Sequence, residues 1–172
     1  ISGDGTVTPS QQEVVRSQQL SLVITPAFGS HIVSVSGCNG TLNQNTYQTG
    51  AITAHCQVSV QFSQLHYALT YRAEQGGSLQ GPASQQVGHA QSGRAVTAVA
   101  AAGYQFAGWS DGSLAASRTD SNVTANVTFT ALFTVNRYTA NYSANKGGSI
   151  HGLESQNVAH GGNTTAVAAV PD

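Results

Sequence analysis

The sequence predicts an all-β fold made of small antiparallel modules arranged in tandem, with no long helix. Apolar and polar residues alternate with a period of two, as they do through Cys56, Val58, Val60 and Phe62. Glycine occurs 19 times in 172 residues, and Gly-Gly pairs and single glycines separate the alternating segments in the manner of turns. No apolar stripe of helical spacing is long enough to predict a helix of several turns.

An internal repeat organises these strands. The segment YALTY at 67–71 matches YTANY at 138–142, and GGSL at 76–79 matches GGSI at 147–150, each at an offset of 71 positions. The first third is a diverged copy in which Val35 takes the place of Trp109. We therefore predict a first repeat unit at 1–64 that lacks its first strand, a second at 65–135, and a partial third at 136–172.

The segment 103–112, GYQFAGWSDG, is expected to form the centre of the second repeat. It contains the only tryptophan of the chain, and a unit of about 70 residues has few other side chains of that size for its core. The predicted core consists of the large apolar residues of the alternating segments: Tyr67, Leu69, Tyr71, Val96, Tyr104, Phe106, Trp109, Val127, Phe129 and Phe133.

The junctions between the predicted repeats are short. Neither proline nor a Gly/Ser run separates Phe62 from Tyr67 or Phe133 from Tyr138. A connection of that length restricts relative motion, so we expect a semi-rigid array in which the partners of each repeat are its neighbours in the same chain.

Composition argues against two classes of partner. Charged residues make up 8% of the chain, the net charge is −1 and there is no basic run, so we expect no nucleic-acid binding. The longest apolar run, 98–103, is far too short to insert into a bilayer.

Cys38 and Cys56 flank a Gly/Asn/Thr-rich loop of the first predicted repeat. They are either two buried thiols or one disulfide, and their spacing differs from the C-x-x-C of redox and zinc sites. We expect the disulfide, which would stabilise a loop of this size by about 3 kcal/mol. It indicates an oxidising compartment outside the cytosol.

One motif matches an enzyme signature. The segment 108–112, GWSDG, has the G-x-S-x-G pattern of a hydrolase nucleophile elbow. That elbow requires a strand, a turn and a helix within a large α/β sheet, and no such pattern surrounds this segment. The corresponding segment of the first repeat, VSGC at 35–38, lacks the motif. We interpret the segment as a turn, and we predict no catalytic residue and no enzymatic activity.

Metal and cofactor sites are not predicted either. The six histidines show no H-x-H or H-x-x-x-H spacing, and the few acids form no calcium-loop pattern. His89 and His160 are equivalent positions of the repeat, which makes them a feature of the unit. Glycan binding is the main alternative, because Tyr104, Phe106 and Trp109 would stack on a sugar ring if they were exposed.

The second repeat resembles the divergent InlB B-repeat family of bacterial secreted and surface proteins, through YALTY, GGSL, AVTAV, GYQFAGWSDG and NVTANVTFT. The resemblance extends over essentially the whole chain, and the first repeat is similar to a cysteine-bearing variant. Ala100 departs from the proline of the neighbouring units. The resemblance implies a β-grasp-like module that is used in tandem as a stalk or spacer and carries no catalytic residues.

These observations predict a non-enzymatic, extracellular structural module of a bacterial surface or secreted protein, such as the stalk of an adhesin or secreted enzyme. One alternative is an accessory module that binds a surface glycan or a protein. Another is a subunit of a head-to-tail fibre, in which the strands of one copy of the chain complete the next copy.

Overall fold

The computed structural model describes all 172 residues, and the all-β prediction is confirmed. The strands, in chain order, are β1 (Gly5–Thr8), β2 (Ser21–Pro26), β3 (Ser30–Ser36), β4 (Thr41–Asn43), β5 (Thr46–Gln48), β6 (Ser59–Gln64), β7 (His66–Ala73), β8 (Gly77–Gln80), β9 (Ser84–Gly88), β10 (Val96–Ala100), β11 (Tyr104–Trp109), β12 (Ser117–Arg118), β13 (Val127–Val135), β14 (Arg137–Asn141), β15 (Gly148–His151), β16 (Ser155–Ala159) and β17 (Ala168–Pro171). The structure has no helix that is long and apolar enough to cross a membrane.

The chain forms two compact units. The first comprises residues 1–68, 86–93 and 121–126, and the second comprises residues 69–85, 94–120 and 127–172. These units differ from the predicted repeats, because three short segments of the predicted second repeat, 65–68, 86–93 and 121–126, belong to the first compact unit, and the predicted third repeat lies in the second unit with the rest. The repeat boundaries stay a prediction.

The first compact unit contains an antiparallel sheet of order β1-β2-β5-β4 and the antiparallel pair β3–β6. Alternate residues of β2 and β6 point into one apolar core, as a period of two requires. That core consists of Leu22, Ile24, Tyr47, Val60 and Phe62.

In the second compact unit, β12, β10 and β8 form one sheet in that order, β11 pairs with β13, and β13 pairs with residues 69–73 of β7. The same unit contains the antiparallel pairs β14–β16 and β15–β17. Several strands of the predicted second and third repeats lie at the same offset of 71 positions, namely β8 and β15, and β9 and β16. Two glutamines at that offset also make the same backbone contacts. Gln85 accepts a hydrogen bond from Arg94 N at 2.6 Å, and Gln156 accepts one from Thr165 N at 2.7 Å.

One strand pair differs from the antiparallel prediction. β13 pairs with β7 in parallel, in a register that runs from Val127 opposite Leu69 to Ala131 opposite Ala73. A parallel pair needs a long connection, and here residues 74–126 connect the first strand of the predicted repeat to its last. The chain therefore enters the β7–β13 pair at one end and leaves it at the other. At about 3.3 Å per residue, these ends are roughly 35 Å apart.

Both compact units contain the same β-bulge. In the first, the register between β3 and β6 shifts between Ile32 and Ser34. In the second, the register between β11 and β13 shifts between Phe106 and Gly108. An extra residue in one strand turns the following side chains to the other face. The bulge thus brings Trp109 to the face of the sheet that Phe106 occupies.

Candidate functional site

The predicted core residues fall into two classes of burial. Four of them are buried, namely Leu69, Tyr71, Val96 and Trp109. The other six are half-buried, namely Tyr67, Tyr104, Phe106, Val127, Phe129 and Phe133. The structure brings several of these rings together, since Phe106 lies 5.9 Å from Phe133 and Tyr71 lies 5.9 Å from Phe129, measured between ring centroids.

The first predicted junction is held by backbone hydrogen bonds within the first compact unit. Leu65 N donates to Gly29 O at 2.7 Å, and His89 N donates to Leu65 O at 2.8 Å. The His89 ring packs against Gly29, where an added Cβ would overlap the imidazole. Tyr67 lies beside this ring, with its hydroxyl 3.3 Å from Nδ1. Glycine at position 29 thus permits the close approach of the histidine.

The second predicted junction has the same arrangement within the second compact unit. Asn136 N donates to Gly103 O at 2.8 Å, and His160 N donates to Asn136 O at 2.8 Å. An added Cβ on Gly103 would overlap the His160 imidazole. Tyr138 again flanks the ring, with centroids 6.1 Å apart. The two equivalent histidines therefore occupy equivalent places, each against a glycine of the preceding predicted repeat.

The Trp109 side chain is enclosed. It is 1% exposed, and its Nε1 donates to Ala115 O at 3.0 Å. The rings of Tyr71 and Phe106 each meet it edge-on at 6.0 Å between centroids. A ring that is buried in this way has no free face on which a sugar can stack.

An ion-pair cluster, which the sequence reasoning missed, surrounds Arg118. The guanidinium donates to both carboxylate oxygens of Asp120, at 3.0 and 2.6 Å, and to both of Asp111, at 3.1 and 2.9 Å. The Tyr71 hydroxyl donates to Asp120 at 2.6 Å, and the guanidinium lies 3.6 Å from the Phe129 ring centroid. We name Tyr71, Asp111, Arg118, Asp120 and Phe129 the Arg118 cluster. Its signal in the sequence is the R-T-D triplet at 118–120, which places an arginine and an acid on one side of an extended strand.

One segment of the chain contains the bulged strand β11, the buried Trp109 and the turn that Arg118 contacts. This segment matches a known family. Residues 67–137 match the divergent InlB B-repeat domain. This domain is typical of bacterial surface or secreted proteins, and the disulfide described below fits an extracellular location. No curated protein and no solved structure shows a significant match to the chain.

Contacts within the Arg118 cluster shift the pKa values of three of its side chains, which lie in the divergent InlB B-repeat segment. The hydrogen bond from Arg118 holds the pKa of Asp111 below its usual range. Burial and then the hydrogen bond to Asp120 raise the pKa of Tyr71 above its ordinary value of 10.0. Burial lowers the pKa of Arg118, but the hydrogen bonds to Asp120 and Asp111 outweigh it and the net shift is upward. The Arg118 guanidinium and the Asp111 carboxylate are therefore both ionised at neutral pH, and the Tyr71 phenol is protonated.

The first compact unit closes the equivalent turn differently. Tyr47 of β5 pairs with Leu22 of β2, and in the InlB B-repeat segment Arg118 of β12 pairs with Val96 of β10. Tyr47 is therefore the counterpart of Arg118. The Tyr47 hydroxyl donates to Gly37 O at 2.6 Å, so it reaches the turn that follows β3. Cys38 in that turn forms a disulfide with Cys56, with a Cα–Cα distance of 5.5 Å. A covalent bond and a tyrosine thus stand where the InlB B-repeat segment has an ion-pair cluster.

The G-x-S-x-G segment of the InlB B-repeat domain is a strand-to-strand turn. Gly112 N donates to Trp109 O, and the chain then continues to β12. The Ser110 hydroxyl accepts a hydrogen bond from Thr130 N at 3.0 Å, which extends the β11–β13 ladder by one residue. A nucleophile elbow would instead lead into a helix. In the whole chain, no group of three or more His, Cys, Asp or Glu side chains is placed to hold a metal ion.

Proposed function

We propose that the chain is a non-enzymatic spacer, built from tandem repeats and located outside the cell as part of a bacterial surface or secreted protein. The observation that carries this proposal is the parallel pairing of β7 with β13. Because the first and last strands of the second repeat run in the same direction, that repeat passes the chain from one of its ends to the other. Repeats joined in this way add length, which is what the stalk of an adhesin or secreted enzyme requires.

The tandem organisation is supported by the equivalent strands and glutamines. β6 ends at Gln64 and β7 begins at His66, and β13 ends at Val135 and β14 begins at Arg137. A single residue separates the strands in both cases. Such a connection leaves few free backbone dihedrals between consecutive repeats, unlike a flexible linker.

The junction contacts support stiffness. Each junction combines two backbone hydrogen bonds of 2.7 to 2.8 Å with a histidine ring that packs on a glycine. These contacts fix the first residue of each following repeat, Leu65 or Asn136, to a glycine turn of the repeat before it and to the histidine segment of its own repeat. In this proposal, the partners of each repeat are its neighbours, and His89 and His160 position them.

A glycan-binding role has weaker support. It would need the aromatic row Tyr104, Phe106 and Trp109 to be open to solvent, and Trp109 is 1% exposed. Sugar rings stack on exposed aromatic faces, so the burial of Trp109 removes the largest of them.

The spacer proposal is tested by measuring whether adjacent repeats reorient together. In the wild-type chain, residual dipolar couplings of amides in β11, β13, β14 and β16 should fit one alignment tensor. Gly103→Ala places a Cβ on the His160 ring and should split the fit into two tensors. Gly112→Ala is the matched control, because its φ of +87° is close to the +82° of Gly103 and an added Cβ would meet nothing within 4 Å. Two independent tensors in the wild type would contradict the proposal.

A further inference from the structure

One turn of the first compact unit contains the only Asn-Gly dipeptide of the chain. Asn39 and Gly40 lie between β3 and β4, directly after Cys38 of the disulfide. Every other asparagine of the chain is followed by a residue that has a side chain. Glycine has no Cβ, so its backbone nitrogen is unshielded and its dihedrals are freer than those of other residues. The carboxamide of Asn39 therefore has the least hindered backbone nitrogen next to it.

The two groups that would react lie in an exposed part of this turn. Asn39 is exposed, and an added Cβ on Gly50 would lie 3.2 Å from Asn39 Cβ, so glycine at position 50 leaves the side chain room to rotate. The Gly40 N–H donates to Gly37 O at 3.2 Å, the long end of the range for such bonds. The nitrogen of Gly40 is thus held by one long hydrogen bond.

The backbone of the turn is nevertheless fixed in one conformation. The φ angles of Cys38 and Asn39 are +48° and +50°, the pattern of a type I′ turn. Asparagine adopts this left-handed conformation readily, whereas cysteine does so only at a cost. Cys38 is held there by its disulfide to Cys56 and by the hydrogen bond from Gly50 N to Cys38 O at 2.9 Å. These contacts oppose the rotation that brings the Asn39 carboxamide onto the next backbone nitrogen.

We propose that Asn39 is a site of spontaneous deamidation whose rate is restrained by the Cys38–Cys56 disulfide. The Gly40 nitrogen gives its proton to solvent and attacks Cγ of Asn39. The new C–N bond closes a cyclic succinimide, and the carboxamide nitrogen takes up a proton and leaves as ammonia. Water then adds to either carbonyl of the ring and cleaves the bond from that carbonyl to nitrogen. The products are aspartate and isoaspartate, and the reaction consumes only water and releases only ammonia.

The second compact unit contains a related dipeptide that is protected. Asp111 precedes Gly112, but an aspartate closes the same ring only by loss of water from its protonated carboxyl group. Arg118 donates to both carboxylate oxygens of Asp111, at 3.1 and 2.9 Å, and holds the pKa of that carboxyl below its usual range. Asp111 Oδ1 also accepts a hydrogen bond from Ser113 N at 3.2 Å. Modification is therefore expected at Asn39 and not at Asp111.

The two products should affect the turn differently. Aspartate keeps the backbone of asparagine, tolerates the left-handed conformation and adds one negative charge to a chain of net charge −1. Isoaspartate routes the main chain through the side-chain carbon, which inserts a methylene before Gly40. That insertion displaces the Gly40 N–H from Gly37 O. Isoaspartate should therefore loosen the turn beside the disulfide, and aspartate should leave it nearly unchanged.

The test follows the oxidised 172-residue chain at mildly alkaline pH in water labelled with oxygen-18. The side-chain NH₂ signals of Asn39 should disappear from nitrogen–proton spectra, and fragment mass spectra should locate the labelled carboxylate at position 39. Asn43 is the internal control, because it is also exposed, lies in the neighbouring strand β4 and is followed by Gln44. Loss of both amides at equal rates would overturn the proposal. So would an intact Asn39 amide over a period in which a synthetic peptide of residues 36–42 deamidates.

Removal of the disulfide tests its part in the proposal. Reduction, or the variant Cys56→Ser, should speed the loss of the Asn39 amide at least about tenfold, because the turn opens more readily without the covalent link. Asn39→Gln should abolish the ammonia release, since glutamine would have to close a larger ring. Ammonia release from Asn39→Gln at the wild-type rate would assign the reaction to another residue. That result, or equal rates with and without the disulfide, would overturn the proposal.

Discussion

The guanidinium carbon of Arg118 lies 3.6 Å from the ring centroid of Phe129 and 5.1 Å from that of Trp109. The same guanidinium pairs with Asp111 in the turn after β11 and with Asp120 beyond the edge strand β12. One side chain therefore holds the turn and the edge strand against the aromatic face of β13. The Arg118 side chain is only 9% exposed, so these contacts are largely shielded from water.

Replacement of Arg118 by methionine should lower the free energy of unfolding of the second compact unit by about 2–4 kcal/mol. Methionine retains much of the apolar packing, but it leaves Asp120 without its cation, and loss of one partner of a buried pair typically costs a few kcal/mol. Urea unfolding followed by Trp109 fluorescence measures the change. Arg137→Met, at an exposed position of β14, is the control and should move the midpoint little. Equal midpoints for the two variants would show that the cluster adds no stability.

The stability of the second compact unit should decrease at two limits of pH, one acid and one alkaline. Arg118 depresses the pKa of Asp111, so that stabilisation is present above the unfolded-state pKa of about 4 and is lost as pH falls below it. The pKa of Tyr71 is raised, so that the protonated phenol favours the folded state, and this contribution is lost as pH rises above 10.0. Unfolding midpoints from Trp109 fluorescence at several pH values measure both limits.

Two variants separate these limits. Asp111→Asn should reduce the loss of stability at acid pH and leave the loss at alkaline pH unchanged. Tyr71→Phe should reduce the loss at alkaline pH and leave the loss at acid pH unchanged. Asp111 is 38% exposed, so its acid limit should be the smaller of the two effects. An acid limit that Asp111→Asn leaves unchanged would assign it to other carboxylates.

Much of the fold follows from local pattern, and the rest depends on partners that are distant in sequence. Alternation alone is enough to place β2, β6 and β13, because each presents one face to a core. Strict alternation would point Trp109 away from Phe106, because the two residues are three positions apart, although both belong to the predicted core. The bulge between Phe106 and Gly108 reverses this, and the sequence signal for it is the odd spacing together with a glycine, whose φ is +139°.

The direction of strand pairing and the Arg118 cluster lay beyond the sequence reasoning. A strand's side-chain pattern is the same for parallel and antiparallel partners, so β7 and β13 carried no local sign of their parallel pairing. Asp111 and Arg118 are separated by a turn and face each other only once β12 pairs with β10. The disulfide was easier to expect, because the two cysteines flank one loop of the first repeat and lack the C-x-x-C spacing of redox and zinc sites.

Reduction of the Cys38–Cys56 disulfide should lower the stability of the first compact unit by about 3 kcal/mol. The cysteines are 18 residues apart, and closing a loop of that length restricts the unfolded chain by this amount in the loop-entropy estimate. Hydrogen exchange of the β3 and β6 amides, with and without reductant, measures the change. Trp109 fluorescence should stay nearly constant, because the tryptophan lies in the second unit. A parallel loss of the Trp109 signal would show that the two units unfold together.

Replacement of Ala100 by proline should be neutral or stabilise the second unit by about 0.4–1 kcal/mol. Ala100 stands opposite Gly77, and the equivalent places opposite Gly5 and Gly148 hold Pro26 and Pro171. Because proline fits the backbone there, it should restrict the unfolded chain without loss of a native hydrogen bond. Ala98→Pro is the control: Ala98 N donates to Ala116 O at 2.9 Å, so proline there should destabilise by roughly 3 kcal/mol or more. Thermal unfolding of both variants measures the difference, and a large destabilisation by Ala100→Pro would show that β10 ends differently from β2 and β17.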